Sequence, residues 1–257
     1  MRNLNYKHFV IFITLPCCFS CYDRVALQKS VSSRQYKISD SLLADPFISA
    51  TITPYRDHIN AVLDAPLSYA PILFTKKGGN LNTNIGNLMA DIVRTQTDSL
   101  LVKQHKPKID FVLLNHGGVR SIISVGPVTE RTAFEVMPFE NTIVVVHLNG
   151  ETLQKLIEYL VAQKTAHPIS GMQLILNPNG SLKSASIQGN PIDFNKSYAV
   201  ATSNFLMGGG DGMTFFSESS EIYETGYLIR NAMIDYFKST DTLKTAVDDR
   251  FYQLPQS

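Results

Sequence analysis

The sequence predicts an α+β fold. Helical and strand patterns alternate irregularly, a central run of short strands is divided by Asn, Pro and Gly turns, and no repeat period organises the chain. With 257 residues, 44% of them hydrophobic, there is ample chain to bury a core, and wholesale disorder is excluded. Residues 48–252 contain no linker-like stretch, so a single domain is expected there. The 23 basic and 22 acidic side chains nearly cancel, which argues against a binder of nucleic acid polymers.

Each element follows from its pattern. Residues 54–64 read as a helix beginning at Pro54, with Ile59, Val62 and Leu63 at helical spacing. Residues 69–74 read as a strand, and Lys76, Lys77, Gly78, Gly79 and Asn80 as a turn. A second helix starts near Asn84, where Ile85, Leu88, Met89, Ile92 and Val93 fall at i, i+3, i+4, i+7 and i+8. Residues 109–114 and 142–148 are buried-type strands, and the stretch between them reads as mainly loop. Residues 151–163 carry one apolar stripe of Leu153, Leu156, Ile157, Leu160 and Val161 behind a capping Asn149. Short strands follow at residues 172–176, 184–188 and 198–202, and a last helix at residues 227–238.

The N-terminus reads differently. A start containing Arg2 and Lys7 precedes an apolar run from Phe9 to Phe19, the form of a signal peptide over residues 1–20 and too short to span a bilayer. The three cysteines, Cys17, Cys18 and Cys21, all lie there. Ser20-Cys21 resembles a relaxed bacterial lipobox, with Cys18 where an aliphatic residue is usual, so Cys21 is the expected lipidation site. The alternatives are an ordinary secretory peptide or a retained anchor. Residues 21–47 then form a polar, Ser-rich tether. With no cysteine after Cys21, an exported domain must rely on its core rather than on disulfides.

Four segments, three of them glycine-bearing, set polar or aromatic residues near strand ends. In Asn115-His116-Gly117-Gly118-Val119-Arg120, the glycines allow close backbone approach and Arg120 offers a planar fork to a phosphate or carboxylate. Alone, the same residues read as a turn and a surface Arg. Pro138 in Met137-Pro138-Phe139-Glu140-Asn141 directs Phe139, although a lone Phe is more often core than ligand-facing. His167-Pro168-Ile169-Ser170-Gly171 precedes a strand and is weak by itself. Asn204-Phe205-Leu206-Met207-Gly208-Gly209-Gly210-Asp211-Gly212 is neither of the common phosphate-loop patterns, and its Asp suits a neutral diol better than a phosphate. Together they suggest a site in which Phe139 and Phe205 sandwich a planar base, Asp211 holds a sugar and Arg120 a phosphate.

These segments, in this order and spacing, resemble the C-terminal domain of the 5'-nucleotidases, a family that includes UDP-sugar hydrolases and 2',3'-cyclic phosphodiesterases. The residues Asn84-Ile85-Gly86-Asn87-Leu88 are similar to its Gly-Asn-Leu helix start. The resemblance runs over residues 48–251 and implies a 5'-nucleotidase C-terminal-type domain of mixed sheets with helices packed outside. It implies that Phe139 and Phe205 stack the base, Asp211 binds the ribose, Arg120 binds phosphate and Asn141 touches the base edge. Ser170, Gly171, Gly209 and Gly210 would line the substrate site, with Asn115 in a supporting catalytic role. Two positions depart from the family pattern. Leu81 stands about where a further Arg is common, with Lys76 or Lys77 as substitutes, which leaves phosphate binding open. His116 replaces a glycine.

In that family a separate N-terminal metallophosphatase domain performs hydrolysis with two metal ions. Here His8, His58, His105, His116, His147 and His167 are isolated, and about 50 residues precede the resemblance. No cofactor is therefore expected in this chain, and a divalent metal pair is expected in a partner. No GxSxG or paired-carboxylate arrangement offers another hydrolytic centre. The leading expectation is a nucleotide- or nucleoside-recognition subunit of a split 5'-nucleotidase, working with a separate metallophosphatase subunit and held to a membrane facing periplasm or cell surface. A non-catalytic nucleoside- or nucleotide-binding lipoprotein is the alternative, and a remnant that no longer binds ranks last. Cys21→Ser is expected to move the protein from the membrane pellet to the soluble fraction, and retention in the pellet would refute lipidation.

Overall fold

The structure, a computed structural model, describes residues 32–39 and 41–256. The leader, Cys21 and the first part of the tether lie outside them. The chain divides into two units, Met1–Thr51 and Ile52–Ser257. In the first, residues 32–39 and 41–45 are exposed and carry no helix or strand. Asp45 then caps helix α1 (Pro46–Leu63), its Oδ1 accepting from the amides of Phe47 and Ile48 at 2.8 and 3.1 Å. The helix thus starts at Pro46 rather than Pro54. Proline favours a first turn, but this helix buries none of its residues and accommodates Pro54 in its interior. Among the described residues no helix is long and apolar enough to cross a membrane.

The second unit is built on a mixed five-stranded sheet. Its strands are β2 (Phe111–Leu113), β4 (Thr142–Leu148), β5 (Ile169–Ser170), β9 (Tyr198–Ser203) and β10 (Ile222–Leu228), in the order β10-β4-β9-β2-β5. Alternation along these strands feeds two cores. Ile143 and Val145 of β4 join one, while Val144, Val146 and Leu148 join the other. Val112 and Ala201 likewise face the first core, and Phe111, Leu113 and Val200 the second. A sheet buried on both faces needs cover on both sides. Helix α2 (Asn84–Lys103), capped by Thr83, contributes Ile85, Leu88, Met89, Ile92 and Val93 to the first core. Helix α6 (Ile229–Lys238) adds Ala232, Met233 and Phe237. The second core receives Leu153, Leu156, Ile157 and Leu160 from helix α4 (Gly150–Gln163). It also takes Met172, Leu174 and Leu176 from β6 (Met172–Leu176), whose sheet is ordered β11-β6-β7-β8 with β7 (Leu182–Ile187), β8 (Asn190–Pro191) and β11 (Phe251–Gln253). The α+β reading and the helix-flanked mixed sheets are what the molecule shows.

Three local expectations need correction. The presumed loop between residues 114 and 142 contains β3 (Gly126–Thr129), paired with β1 (Pro66–Ala70), and helix α3 (Glu130–Val136). The Thr129/Thr132 capping box starts α3, and Arg131 ties it to Asn60 and Asp64, with Nη2 2.8 Å from Asn60 Oδ1. The strand expected at residues 69–74 ends at Ala70, and Phe74 keeps only an isolated bridge to Ile123. Tyr227 belongs to β10, not to the last helix. The register slips between Glu224 and Leu228, where Gly226 takes φ +66° and the Thr225 hydroxyl donates to the Ile143 carbonyl at 2.7 Å.

Strand polarity positions the loops. β2 and β9 run parallel as neighbours, β4 runs against β9, β10 against β4, and β5 against β2. The carboxyl ends of β2, β9 and β10 therefore meet the amino ends of β4 and β5 at one edge of the sheet.

A buried amide network pins the start of α2 to the C-terminal segment. The Asn82 amide donates to the carbonyls of Phe251 and Asp248 at 2.9 and 3.0 Å, and its Oδ1 accepts from Asn87 Nδ2 at 2.8 Å. Both side chains are within 4% of full burial. Truncation would strand several polar groups. Asn82→Ala is expected to lower stability by about 2–3 kcal/mol in urea unfolding, and an unchanged midpoint would show that the network is dispensable.

Candidate functional site

A cavity of about 250 Å³ opens at that sheet edge, lined by Asn115, Gly117, Gly118, Arg120, Phe139, Asn141, Phe205 and Asp211. Three separated segments build it, and each arrives for a topological reason. Asn115 to Arg120 leave the carboxyl end of β2. Phe139 and Asn141 lead into the amino end of β4. Phe205 and Asp211 leave β9 through α5 (Asn204–Met207), which Ser203 caps by accepting from the Leu206 amide at 3.2 Å.

The rings are the apolar part of the cavity. Phe139 is 41% exposed and Phe205 45%, unusual for phenyl groups beside a well-filled core. Gly210 explains the seat of Phe205, because a Cβ there would overlap the ring. The polar part is more tightly held. Asp211 adopts a left-handed φ of +53°, costly for a non-glycine residue, and is fixed at two points. Its Oδ2 accepts from Asn115 Nδ2 at 2.8 Å, and its backbone carbonyl accepts from the Tyr159 hydroxyl at 2.8 Å. Tyr159 lies on α4, and burial together with the Asp211 charge raises its pKa. Arg120 is exposed. Its Nη1 lies 3.4 Å from the Gly117 carbonyl and its guanidinium carbon 5.8 Å from the Phe139 ring centre, within cation–π range.

Six of the expected site residues, Asn115, Arg120, Phe139, Asn141, Phe205 and Asp211, thus share one cavity. Gly209 and Gly210 shape the loop without lining it, Gly209 at φ +86°. Ser170 and Gly171 do not join them. β5 runs away from the edge, so they line a separate polar pocket with Asp91, Arg94 and Arg250. Leu81 is packed into the second core, only 6% exposed. Among the described residues no group of three or more His, Cys, Asp or Glu is placed to hold a metal ion. One carboxylate, one guanidinium, two side-chain amides and two phenyl rings suit an organic ligand; they do not make a dimetal centre.

Sequence reasoning passed over the support behind Asn115. The His116 amide donates to His167 Nδ1 at 3.1 Å, and His116 Nδ1 lies 3.0 Å from the Ala166 carbonyl. The His167 ring sits 6.0 Å from that of Tyr159. Buried His167 is depressed to a pKa of about 4, mainly by desolvation and further by His116. It accepts only while Nδ1 is unprotonated. The unfolded chain takes up a proton near pH 6.5 that the folded protein refuses until about pH 4, so stability is full above that window and falls as pH drops through it. The linked loss is expected to reach about 3 kcal/mol. His167→Asn, which keeps an acceptor but does not titrate, is expected to flatten the urea-unfolding profile between pH 6.5 and 4; an unaltered profile would assign the acid sensitivity elsewhere.

The family model "5'-nucleotidase, C-terminal domain" matches residues 71–218. Protein UshA of Yersinia enterocolitica is 24% identical over 220 residues, covering 82% of this chain and 38% of that protein. Protein UshA of Escherichia coli is 27% identical over 173 residues, 65% of this chain and 29% of that protein. The crystal structure of a 5'-nucleotidase precursor from Thermus thermophilus superposes with a TM-score of 0.68 at 24% identity, over 82% of this chain and 44% of that one. The chain therefore spans less than half the length of each of these relatives. Over more than half of its own length it matches the family model: the chain belongs to the 5'-nucleotidase C-terminal domain family.

Proposed function

We propose that this chain is the nucleotide-recognition subunit of a split 5'-nucleotidase, with a separate metallophosphatase chain supplying the metal pair. The observation that carries the reading is the cavity itself, where two half-exposed phenyl rings face a fixed carboxylate and a guanidinium. The rings sandwich a base, and Asn141 offers its amide to the base edge. Asp211, already oriented by Asn115 and Tyr159, accepts from a ribose hydroxyl. Arg120 leaves the Phe139 face to pair with the phosphate. The partner's metals would polarise the phosphoryl group and supply the nucleophile. This chain's task is binding and orientation, which lower the entropic part of the barrier. Export and a lipid anchor at Cys21 would place the pair at a membrane surface.

One observation favours a second reading, a nucleoside-binding lipoprotein without catalytic duty. Leu81 lies in the core, so among the described residues Arg120 is the cavity's single guanidinium, which grips phosphate weakly.

Calorimetry with AMP and adenosine separates the readings when coupled to a phosphate-release assay in Mn²⁺ or Mg²⁺. The split-enzyme reading expects AMP to bind without phosphate release by this chain alone; release by the chain alone would overturn it. Adenosine binding as tightly as AMP would favour the second reading. Phe205→Ala is expected to weaken AMP binding by about 1–3 kcal/mol, and an unchanged affinity would remove the stacking role.

A further inference from the structure

We infer that Arg230 is a positioning residue that locks the Phe139 loop in its stacking conformation, an inference resting on the base-stacking reading of the cavity. Arg230 is the second residue of α6, just beyond the carboxyl end of β10, where Leu228 pairs with Thr142 of β4. It lies past the family match, which ends at residue 218. Its side chain is buried, with 6% of the residue exposed. Nη1 lies 3.4 Å from the Phe139 carbonyl, Nη2 pairs with Glu140 Oε1 at 2.5 Å, and the guanidinium carbon stands 4.3 Å over the Phe134 ring. The next backbone contact continues the clasp, with the Ile229 amide donating to the Asn141 carbonyl at 3.0 Å. Residues 139, 140 and 141 are thus all held by the start of one helix. Phe139 and Asn141 line the cavity; Arg230 does not.

Stability alone does not account for this arrangement. Burying a guanidinium is expensive, its Nε has no hydrogen-bond partner among the described residues, and its carboxylate partner Glu140 has a side chain 74% exposed. An apolar side chain of similar length would fill the site at less cost in desolvation. What the guanidinium adds is a planar fork that reaches the loop carbonyl and the loop carboxylate together. A phenyl ring on an otherwise short loop stacks only if its backbone is fixed before the base arrives, since ordering it on binding reduces affinity.

The test uses the full chain with Arg230→Met and, as a milder change, Arg230→Lys, against AMP and ribose 5-phosphate, which lacks the base. Arg230→Met is expected to weaken AMP binding about tenfold while ribose 5-phosphate affinity stays unchanged, and Arg230→Lys is expected to recover part of the loss. Combining Arg230→Met with Phe139→Ala should add little to Phe139→Ala alone, because both remove the same stack. Equal losses for both ligands, or full additivity with Phe139→Ala, would overturn the assignment. If the parent protein binds AMP and ribose 5-phosphate equally, the stacking reading itself falls and takes the inference with it. Hydrogen exchange without ligand tests the clasp independently. The Ile229 amide is expected to exchange at least about tenfold faster in Arg230→Met, and unchanged protection would overturn the inference whatever the cavity binds.

Discussion

Because β2 and β9 lie side by side and parallel, while β4, β10 and β5 run against their neighbours, chain segments far apart in sequence are delivered to one edge of one sheet. The constraint is steric and hydrophobic before it is chemical. The central strands β4, β9 and β2 alternate side chains between two cores, so a slip of one residue would turn core residues of both faces the wrong way. Register therefore fixes which residue is last in each strand, and so which residue begins each loop. Asn115, Asn141 and Ser203 are all set within a few residues of a paired strand position. The same rule explains an exclusion. His167 precedes β5 and reaches the site's support, whereas Ser170 ends β5 and Gly171 follows it, and both are carried off to another pocket.

Much of this was legible in the sequence because the signals were local. The stripe on α4 behind Asn149, the apolar β4 and the pattern of α2 are readable from spacing, and their observed bounds differ little from the expected ones. The six cavity residues were legible because glycine and proline punctuation marks strand ends. What escaped depends on pairing between distant segments. β3 and α3 carry too few apolar residues for a periodic signal and exist through the Thr129 cap, the β1 pairing and the hold of Arg131 on Asn60 and Asp64. Tyr227 looks helical by neighbourhood, yet it lies in the register irregularity of β10, its amide donating to the Thr225 hydroxyl. Arg230 gave no signal because a basic residue in a helix is ordinarily solvated, and only the pairing of Leu228 with Thr142 buries it against the Phe139 loop.

The two ends of the cavity differ in rigidity, and that difference has consequences for selectivity. Asp211 is fixed by Asn115 through its side chain and by Tyr159 through its backbone, and it holds a left-handed conformation that a less constrained residue would relax. Behind it, Asn115 leaves a turn whose next amide is bonded to buried His167, and His167 packs near Tyr159, so the support closes on itself. Arg120, by contrast, is exposed, with a long contact to the Gly117 carbonyl and a cation–π approach to Phe139 that a ligand can displace. Preorganised groups discriminate strongly because they cannot follow an ill-fitting partner, while a mobile guanidinium on a flexible stem adapts and pays for its ordering on binding. Under the proposed function, the sugar and base ends therefore set which ligands are accepted, and the phosphate end tolerates variation. That division suits a recognition domain whose ligand's phosphate must be handed to chemistry located elsewhere.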